Sequence, residues 1–257
     1  MDWNLYLSAL PLALAVGLAG WLYSLVRSNV TIVDSLWSLM FLAVGLLYVL
    51  SQPTLSDRGL LLLVLLAIWA LRLSIHLTLR NWGQPEDHRY QQIRRNNEPG
   101  FEWKSLYLVF GLQGVLAWLI SLPLLAVASS GDLGLLDLAA VCLWTIGFAF
   151  EALGDRQLAR FRADPANAGQ VLDTGLWRYT RHPNYFGECC IWWSYYLLAL
   201  SAGGWWALPA PLLMTWLLLR VSGVAMLEKD IGERRPAYRS YIARTNAFIP
   251  GPPQRAN

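Results

Sequence analysis

The chain is organised around the stretch Gly175–Glu188, which reads GLWRYTRHPNYFGE. Two arginines, Arg178 and Arg181, stand before Pro183, and a long apolar run follows. Proline favours the first turn of a helix, because its missing N–H is one that a helix leaves unpaired. The exposed N–H groups and positive dipole end of such a helix start attract a phosphate or a carboxylate, so we predict an anion site here. The alternative is that the arginines only flank a membrane helix on its cytoplasmic side.

Further hydrogen-bonding side chains stand in the same stretch. His182, Asn184 and Tyr185 lie within two residues of Pro183, and Glu188 follows about one helical turn later. So many polar groups in so short a segment favour a binding site over a simple flank.

The composition is that of a membrane protein. Of the 257 residues, 56% are hydrophobic and 14% are charged, which excludes an ordinary soluble domain. The net charge of +3 is mild, so we expect no nucleic-acid partner. The three cysteines are too few for a disulfide framework, and we expect free thiols. Asp2, with no basic residue before the first apolar run, argues against a cleaved signal peptide.

Seven apolar segments reach or approach the length of about 20 helical residues that crosses a bilayer. We therefore predict an all-α, polytopic membrane protein with one domain, residues 1–257, whose cytoplasmic loops cap a cofactor cavity. The predicted membrane helices lie near residues 3–26, 31–50, 59–79, 106–128, 136–153, 185–200 and 205–224, with a cytoplasmic tail at 225–257.

The basic residues predict the orientation of these helices. Clusters of five, five and six of the 20 basic residues lie between helices three and four, between five and six, and in the tail. Seven helices place all three clusters on one side, which the positive-inside rule makes cytoplasmic. We therefore expect the N-terminus outside and the C-terminus in the cytoplasm, in the inner membrane of a bacterium.

Ionisable residues inside the apolar segments need an explanation, because each costs at least about 2.5–3.5 kcal/mol at the bilayer centre. Their positions place all of them in the cytoplasmic half of the predicted helices, which indicates a polar cavity open to the cytoplasm. Arg72 and His76 lie four residues apart on one helix face, and either could pair with Asp34. The alternative for these three is an ion pair that only fixes helix packing. The polar residues concerned are Asp34, Arg72, His76, Gln113, Glu151, Glu188 and Arg220.

Two cytoplasmic segments add candidate ligands. Glu151, Asp155 and Arg162 share one face if helix five continues into the cytoplasm, and such a face can hold ribose hydroxyls and a phosphate. Glu86–Tyr90 is a dense charged stretch after helix three. For both segments the alternative is a solvated helix face. A dinucleotide would not be held by a Rossmann or P-loop device, because neither glycine motif occurs.

The tail segment Glu228–Ala243 has a helical pattern of charges, with Tyr238 and Tyr241 on one face. It is interpreted either as an interfacial amphipathic helix or as a helix that lids a pocket.

The residues described above resemble those of the membrane-embedded steroid 5-alpha reductases and their bacterial relatives. The matching pieces are Glu151–Arg162, Gly175–Glu188 and the closing Tyr238, Tyr241 and Phe248-Ile249-Pro250. The Gly-Leu-Trp and Arg-His-Pro-Asn-Tyr pattern is also similar, more weakly, to sterol double-bond reductases and to isoprenylcysteine and phospholipid methyltransferases.

The resemblance implies seven helices, NADPH bound from the cytoplasm and no metal. The implied substrate is an apolar lipid or steroid, such as a 3-oxo-4-ene steroid, that enters from the membrane lipid. Asp34 stands about where the animal enzymes have a helix-two glutamate that polarises the substrate carbonyl. Those enzymes place a tyrosine in helix three as the second donor, whereas this chain has Arg72 and His76 there.

The candidate site residues follow from the anion-site argument and the resemblance together. The candidate catalytic residues are Asp34, His76 and Arg72. The candidate cofactor-binding residues are Glu151, Asp155, Arg162, Arg178, Arg181, His182, Asn184, Tyr185, Glu188, Arg220, Glu228 and Tyr238.

The expected reaction is hydride transfer to the β-carbon of an enone, with an acid on the carbonyl oxygen. A carboxyl buried among apolar helices can remain protonated, so Asp34 could donate, with His76 or Arg72 in support. The main alternative is a methyltransferase that uses S-adenosylmethionine, with Glu228 on the amine of that ligand. A membrane scaffold with a purely structural polar cluster is the third interpretation.

Overall fold

The computed structural model describes most of the chain, and the described residues are helical with no strand. The residues described are 1–128, 132–221, 223–224, 228 and 236–254. Contacts divide the chain into two compact units. Unit 1 consists of Met1–Gly134 and Leu198–Ala210, and unit 2 consists of Leu135–Leu197 and Pro211–Asn257.

Unit 1 is a bundle of apolar helices in which α2 packs against both α1 and α3. Phe41 and Trp69 are fully buried in its core. Asp2 and Ser56 cap α1 and α3, because their side-chain oxygens accept hydrogen bonds from first-turn N–H groups. The helices are α1 Trp3–Arg27, α2 Ile32–Leu50, α3 Asp57–Asn81, α4 His88–Asn97, α5 Phe101–Ser105, a π-helical turn Leu106–Gly111, α6 Leu112–Ile120 and α7 Leu122–Ala128.

The fourth predicted segment, residues 106–128, differs from the continuous helix that we expected. Helical structure begins earlier, at Phe101, and is interrupted at Ser121. Pro123 explains the interruption, because a proline lacks the N–H that would continue the hydrogen bonds of the preceding turn. The Ser121 hydroxyl instead donates to the carbonyl of Trp118.

The remaining helices position the motif residues. The fifth helix, predicted near residues 136–153, runs ten residues further, to Ala163, so the condition under which Glu151, Asp155 and Arg162 share one helix is met. The prediction that Pro183 begins a helix is confirmed. The elements are α8 Leu135–Ala163, short 3-10 turns at Pro165–Asn167, Gly175–Arg178 and Trp205–Ala207, α9 Pro183–Ser201, α10 Pro209–Trp216, a π-helical turn Leu217–Val221 and α11 Ala237–Arg244.

Several of these helices fit a multi-pass integral membrane protein. Within the described part of the chain, five are long and apolar enough to cross a bilayer, and the helical segment Trp205–Val221 is shorter. The seven-span topology, the orientation and the capped cavity stay predictions. The five candidate spans are Trp3–Arg27, Ile32–Leu50, Asp57–Asn81, Phe101–Ile120 and Leu135–Ala163.

Candidate functional site

A close crossing of α8 and α9 brings the polar groups of unit 2 together. A Cβ atom added to Gly187 would lie 2.4 Å from the carbonyl oxygen of Gly147 and 2.5 Å from the amide nitrogen of Glu151. Only glycine permits this backbone approach, which is the way that small residues bring membrane helices into contact. The first turns of α9 therefore lie against the acidic part of α8.

The acids of α8 meet the start of α9 at this crossing. The side-chain amide of Asn184 donates to Oδ1 of Asp155 at 3.2 Å. Glu151 and Asp155 are both buried. Arg162, the third residue that the helical spacing placed on this face, lies nearer the end of α8 and is exposed. The structure thus brings two of the predicted cofactor ligands, Asp155 and Asn184, into contact.

Arg181 joins the motif loop to two later segments of unit 2. Its Nε and Nη2 atoms donate to the two carboxylate oxygens of Glu228 at 2.7 and 2.8 Å. Its Nη1 atom donates to the main-chain carbonyls of Ile242 and Thr245. Arg181 is buried, and these contacts with protein groups use most of its hydrogen-bonding capacity.

His182 completes the set of donors around Glu228. Its Nε2 atom lies 2.9 Å from Oε1 of Glu228, and its ring stacks on that of Tyr185 with centroids 5.6 Å apart. Burial alone would raise the pKa of Glu228. The hydrogen bonds and charges of His182 and Arg181 outweigh burial and lower this pKa to about 2. Glu228 is therefore ionised at neutral pH.

The C-terminal strap, residues 241–254, packs against the motif loop. The Arg181 N–H donates to the carbonyl of Asn246 at 2.9 Å, and the Thr180 hydroxyl donates to that of Phe248 at 2.8 Å. The Tyr241 hydroxyl donates to the carbonyl of Trp177. The described part of the tail thus belongs to the architecture of the loop. A tail helix was predicted over residues 228–243. Residues 229–235 of it, which precede α11, lie outside the described residues.

Unit 1 holds a second polar cluster, at the start of α2. The Asp34 side chain is only 13% exposed, and its Oδ2 atom lies 2.5 Å from Nη2 of Arg89. Its Oδ1 atom accepts a hydrogen bond from the Tyr90 hydroxyl at 2.5 Å. Arg89 also pairs with Asp87 at 2.9 Å. Asp34 thus accepts from Arg89 at one oxygen and from the Tyr90 phenol at the other.

The segment around α4 reaches Asp34 because it folds back over the start of α2. The Val30 N–H donates to Oε1 of Glu86 at 3.0 Å, and the Asp87 N–H donates to the Thr31 hydroxyl at 2.9 Å. Arg94 forms two hydrogen bonds with Glu86, each of 2.8 Å. The charged stretch is thus largely paired with protein groups rather than left as a solvated face.

Tyr90 is the residue that sequence reasoning missed. It is buried, and burial together with the charge of Asp34 raises its pKa well above the ordinary value, so the phenol keeps its proton. The resemblance implied a tyrosine inside the third helix, where this chain has the half-buried Arg72 and His76. The dense charged stretch that ends at Tyr90 was the available signal in the sequence. That stretch did not reveal that the partner of Tyr90 is Asp34.

The other predicted site residues occupy varied environments. Arg178 and Arg220 are exposed, whereas Tyr185, Glu188 and Tyr238 are half-buried. Among the residues that the structure describes, no group of His, Cys, Asp and Glu could hold a metal ion.

The described helices fit a multi-pass membrane protein, and the structure holds two buried polar clusters, one in each unit. Over residues 20–245 the chain matches DUF1295, described as a protein of unknown function, and it belongs to that family. It is similar to an uncharacterized protein of Schizosaccharomyces pombe. The two are 26% identical over an alignment of 286 positions, which covers 96% of this chain and 80% of the yeast protein. No solved structure matches the chain.

Proposed function

We propose that the protein is an NADPH-dependent membrane reductase that reduces the carbon–carbon double bond of an apolar enone, such as a 3-oxo-4-ene steroid. The observation that carries this proposal is the hydrogen bond from Tyr90 to Asp34. The steroid 5-alpha reductases that the sequence resembles combine a helix-two acid with a tyrosine donor. DUF1295 belongs to the steroid 5-alpha reductase-like superfamily, which supports the same chemistry.

The chemistry requires a hydrogen-bond donor where negative charge develops on the enone oxygen. Bound NADPH supplies the hydride. Tyr90 is the proposed donor, because its buried phenol is protonated at neutral pH and its hydroxyl already donates to Asp34. Asp34, itself held by Arg89, orients the phenol. When a substrate carbonyl replaces Asp34 as the acceptor, the same hydroxyl stabilises the developing enolate. A proton must then reach the α-carbon to complete the reduction.

The side chains of unit 2 fit a dinucleotide. The carboxylates of Glu151 and Asp155 can accept from ribose hydroxyls, and the Asn184 amide beside Asp155 can both donate and accept. Arg162 and Arg178 are exposed cations on α8 and on the turn that packs against it, and they suit phosphates.

One observation favours methyl transfer from S-adenosylmethionine as a second candidate. Glu228 lies against Arg181 and His182, so an acid and two basic side chains adjoin each other. Such a group can recognise the amine and the carboxylate of one amino-acid ligand. Titration of the purified protein with NADPH and with S-adenosylmethionine separates the two proposals.

The test of the reductase is Tyr90→Phe in detergent-solubilised protein, assayed with NADPH and a 3-oxo-4-ene steroid. We expect turnover to fall by roughly 10²–10³-fold, the usual effect of one lost oxyanion donor, while the Kd for NADPH changes little. Tyr107→Phe is the matched control, because Tyr107 is 61% exposed.

Three outcomes would contradict the reductase proposal or the role of Tyr90 in it. Turnover by Tyr90→Phe equal to that of the control would remove Tyr90 as the donor. A much larger loss in Asp34→Asn than in Tyr90→Phe would make Asp34 the acid, as the sequence alone predicted. Absence of NADPH binding to the wild type, with S-adenosylmethionine bound instead, would replace reduction by methyl transfer.

A further inference from the structure

The Arg181–His182 pair has the chemistry of an anion site, and a carboxylate of the same chain fills it. The Arg181 and His182 side chains are 8% and 5% exposed, so both are desolvated. Three donor atoms surround Glu228 within 2.9 Å, and Nε and Nη2 of Arg181 hold it in a two-point arrangement. Arginine binds phosphate with the same bidentate geometry.

Arg181 would keep its position without Glu228. Its Nη1 atom is held by the main-chain carbonyls of Ile242 and Thr245, and its own N–H donates to the carbonyl of Asn246. These contacts use neither Nε nor Nη2. Glu228 could therefore leave while the guanidinium stays oriented.

Arg181 also borders open space on the side of the strap. Arg181 lines an open cavity of about 230 Å³ together with Thr245, Asn246 and Gln254 of the strap. This volume is below the range of about 300–1,000 Å³ for sites that bury a whole drug-sized ligand, so it suits one anionic group of a larger molecule. The Glu228 side chain is itself 17% exposed, so it lies at the edge of the buried pair.

We propose that Glu228 is a displaceable internal ligand, which occupies the Arg181–His182 pair in the empty protein and gives way to a phosphate or diphosphate group. For NADPH, this inference rests on the proposed function and specifies where the diphosphate binds. Binding then requires the Glu228 ion pair to break, which reduces the apparent affinity of the anion. Glu228 thus contributes stability to the empty protein at the expense of ligand affinity.

This exchange predicts opposite effects of one substitution. Glu228→Gln removes the competing charge, so the empty protein should melt earlier while it binds anions more tightly. A purely structural ion pair predicts earlier melting without tighter binding. Direct contact between Glu228 and the ligand predicts weaker binding.

The experiment compares the wild type, Glu228→Gln and Asp173→Asn as full-length protein in detergent. Asp173 pairs with Arg244, so its substitution removes a carboxylate from the same unit without touching Arg181. NADPH and inorganic pyrophosphate are titrated separately, and melting is recorded without ligand. We expect Glu228→Gln to bind both probes at least tenfold more tightly, about 1.4 kcal/mol, and Asp173→Asn to bind like the wild type.

Unchanged or weaker binding of pyrophosphate by Glu228→Gln would overturn the inference, as would equal tightening in Asp173→Asn. Tighter pyrophosphate binding with no NADPH binding in any protein would support the internal ligand and reject the NADPH proposal. NADPH bound equally by the wild type and Glu228→Gln would support the NADPH proposal and reject the internal ligand. If Glu228→Gln does not fold, Glu228→Asp replaces it. Its shorter side chain should give smaller but measurable tightening, and no tightening would refute the inference.

Discussion

The crossing of α8 and α9 makes a sharp prediction for Gly187→Ala. The new Cβ would lie 2.4 Å from the Gly147 carbonyl oxygen and 2.5 Å from the Glu151 amide nitrogen, whereas ordinary contacts begin at 3.4 Å. Both obstacles are main-chain atoms, so no side-chain rotation can relieve the overlap. The two helices must move apart by about 1 Å, the difference between these distances.

The expected loss of stability follows from two opposing effects. Overpacking costs typically about 1–3 kcal/mol, and a main-chain obstacle places this case at the upper end. Alanine regains up to about 1 kcal/mol of helix propensity relative to glycine. The net loss is therefore about 2 kcal/mol, or roughly 4–8 °C in Tm for a chain of this size.

The assay is thermal unfolding of purified protein in detergent, followed by NADPH titration. Gly154→Ala is the matched control, because its Cβ would meet the ring carbons of Pro183 at 3.1 and 3.3 Å, which a shift of a few tenths of an ångström relieves. We expect the control to melt near the wild type. Gly187→Ala should also bind NADPH more weakly, since separation of the helices parts Asp155 from Asn184. Wild-type melting and affinity for Gly187→Ala would refute the close crossing.

Two further predictions concern charge. The pKa of Glu228 in the folded protein lies below its ordinary value of 4.5. The ionised Glu228 therefore stabilises the folded state, by at most about 3 kcal/mol. This contribution is complete above pH 4.5 and is lost as the pH falls toward 2. The Tm difference between the wild type and Glu228→Gln should therefore be smaller at pH 3 than at pH 7, and an equal difference would contradict the ion pair. The three basic clusters predict a cytoplasmic C-terminus. A fluorescent reporter fused after Asn257 should therefore be active in the cytoplasm. Periplasmic activity of alkaline phosphatase fused at the same point would reject this orientation.

Local signals in the sequence predicted most of the helices. The helix start at Pro183 was predicted, because it depends on a local signal, the proline itself. The fifth helix was predicted only to residue 153, where the apolar run ends, and its continuation to Ala163 was considered only as a condition for one shared polar face. The interruption at Ser121 was missed, although Pro123 was visible, because the apolar run passes through it without a change in hydropathy.

The sequence also indicated which segments carry polar chemistry. It selected Asp34 at the start of α2 and the polar residues around Pro183, because charged groups in apolar helices have a high energetic cost and are kept for a reason. It indicated that Glu151, Asp155 and Arg162 would share one face if the fifth helix continued, and the structure, in which that helix does continue, places Asp155 against Asn184.

The partners of the buried charges were decided only by tertiary structure. Asp34 pairs with Arg89 and Tyr90, which lie 55 and 56 residues away, and Arg181 pairs with Glu228, 47 residues away. Helical periodicity relates residues within a few turns of one helix, so it cannot specify contacts at these separations. Which donor satisfies a buried carboxylate depends on how loops fold back over helix ends, and that outcome is set by the packing of the whole unit.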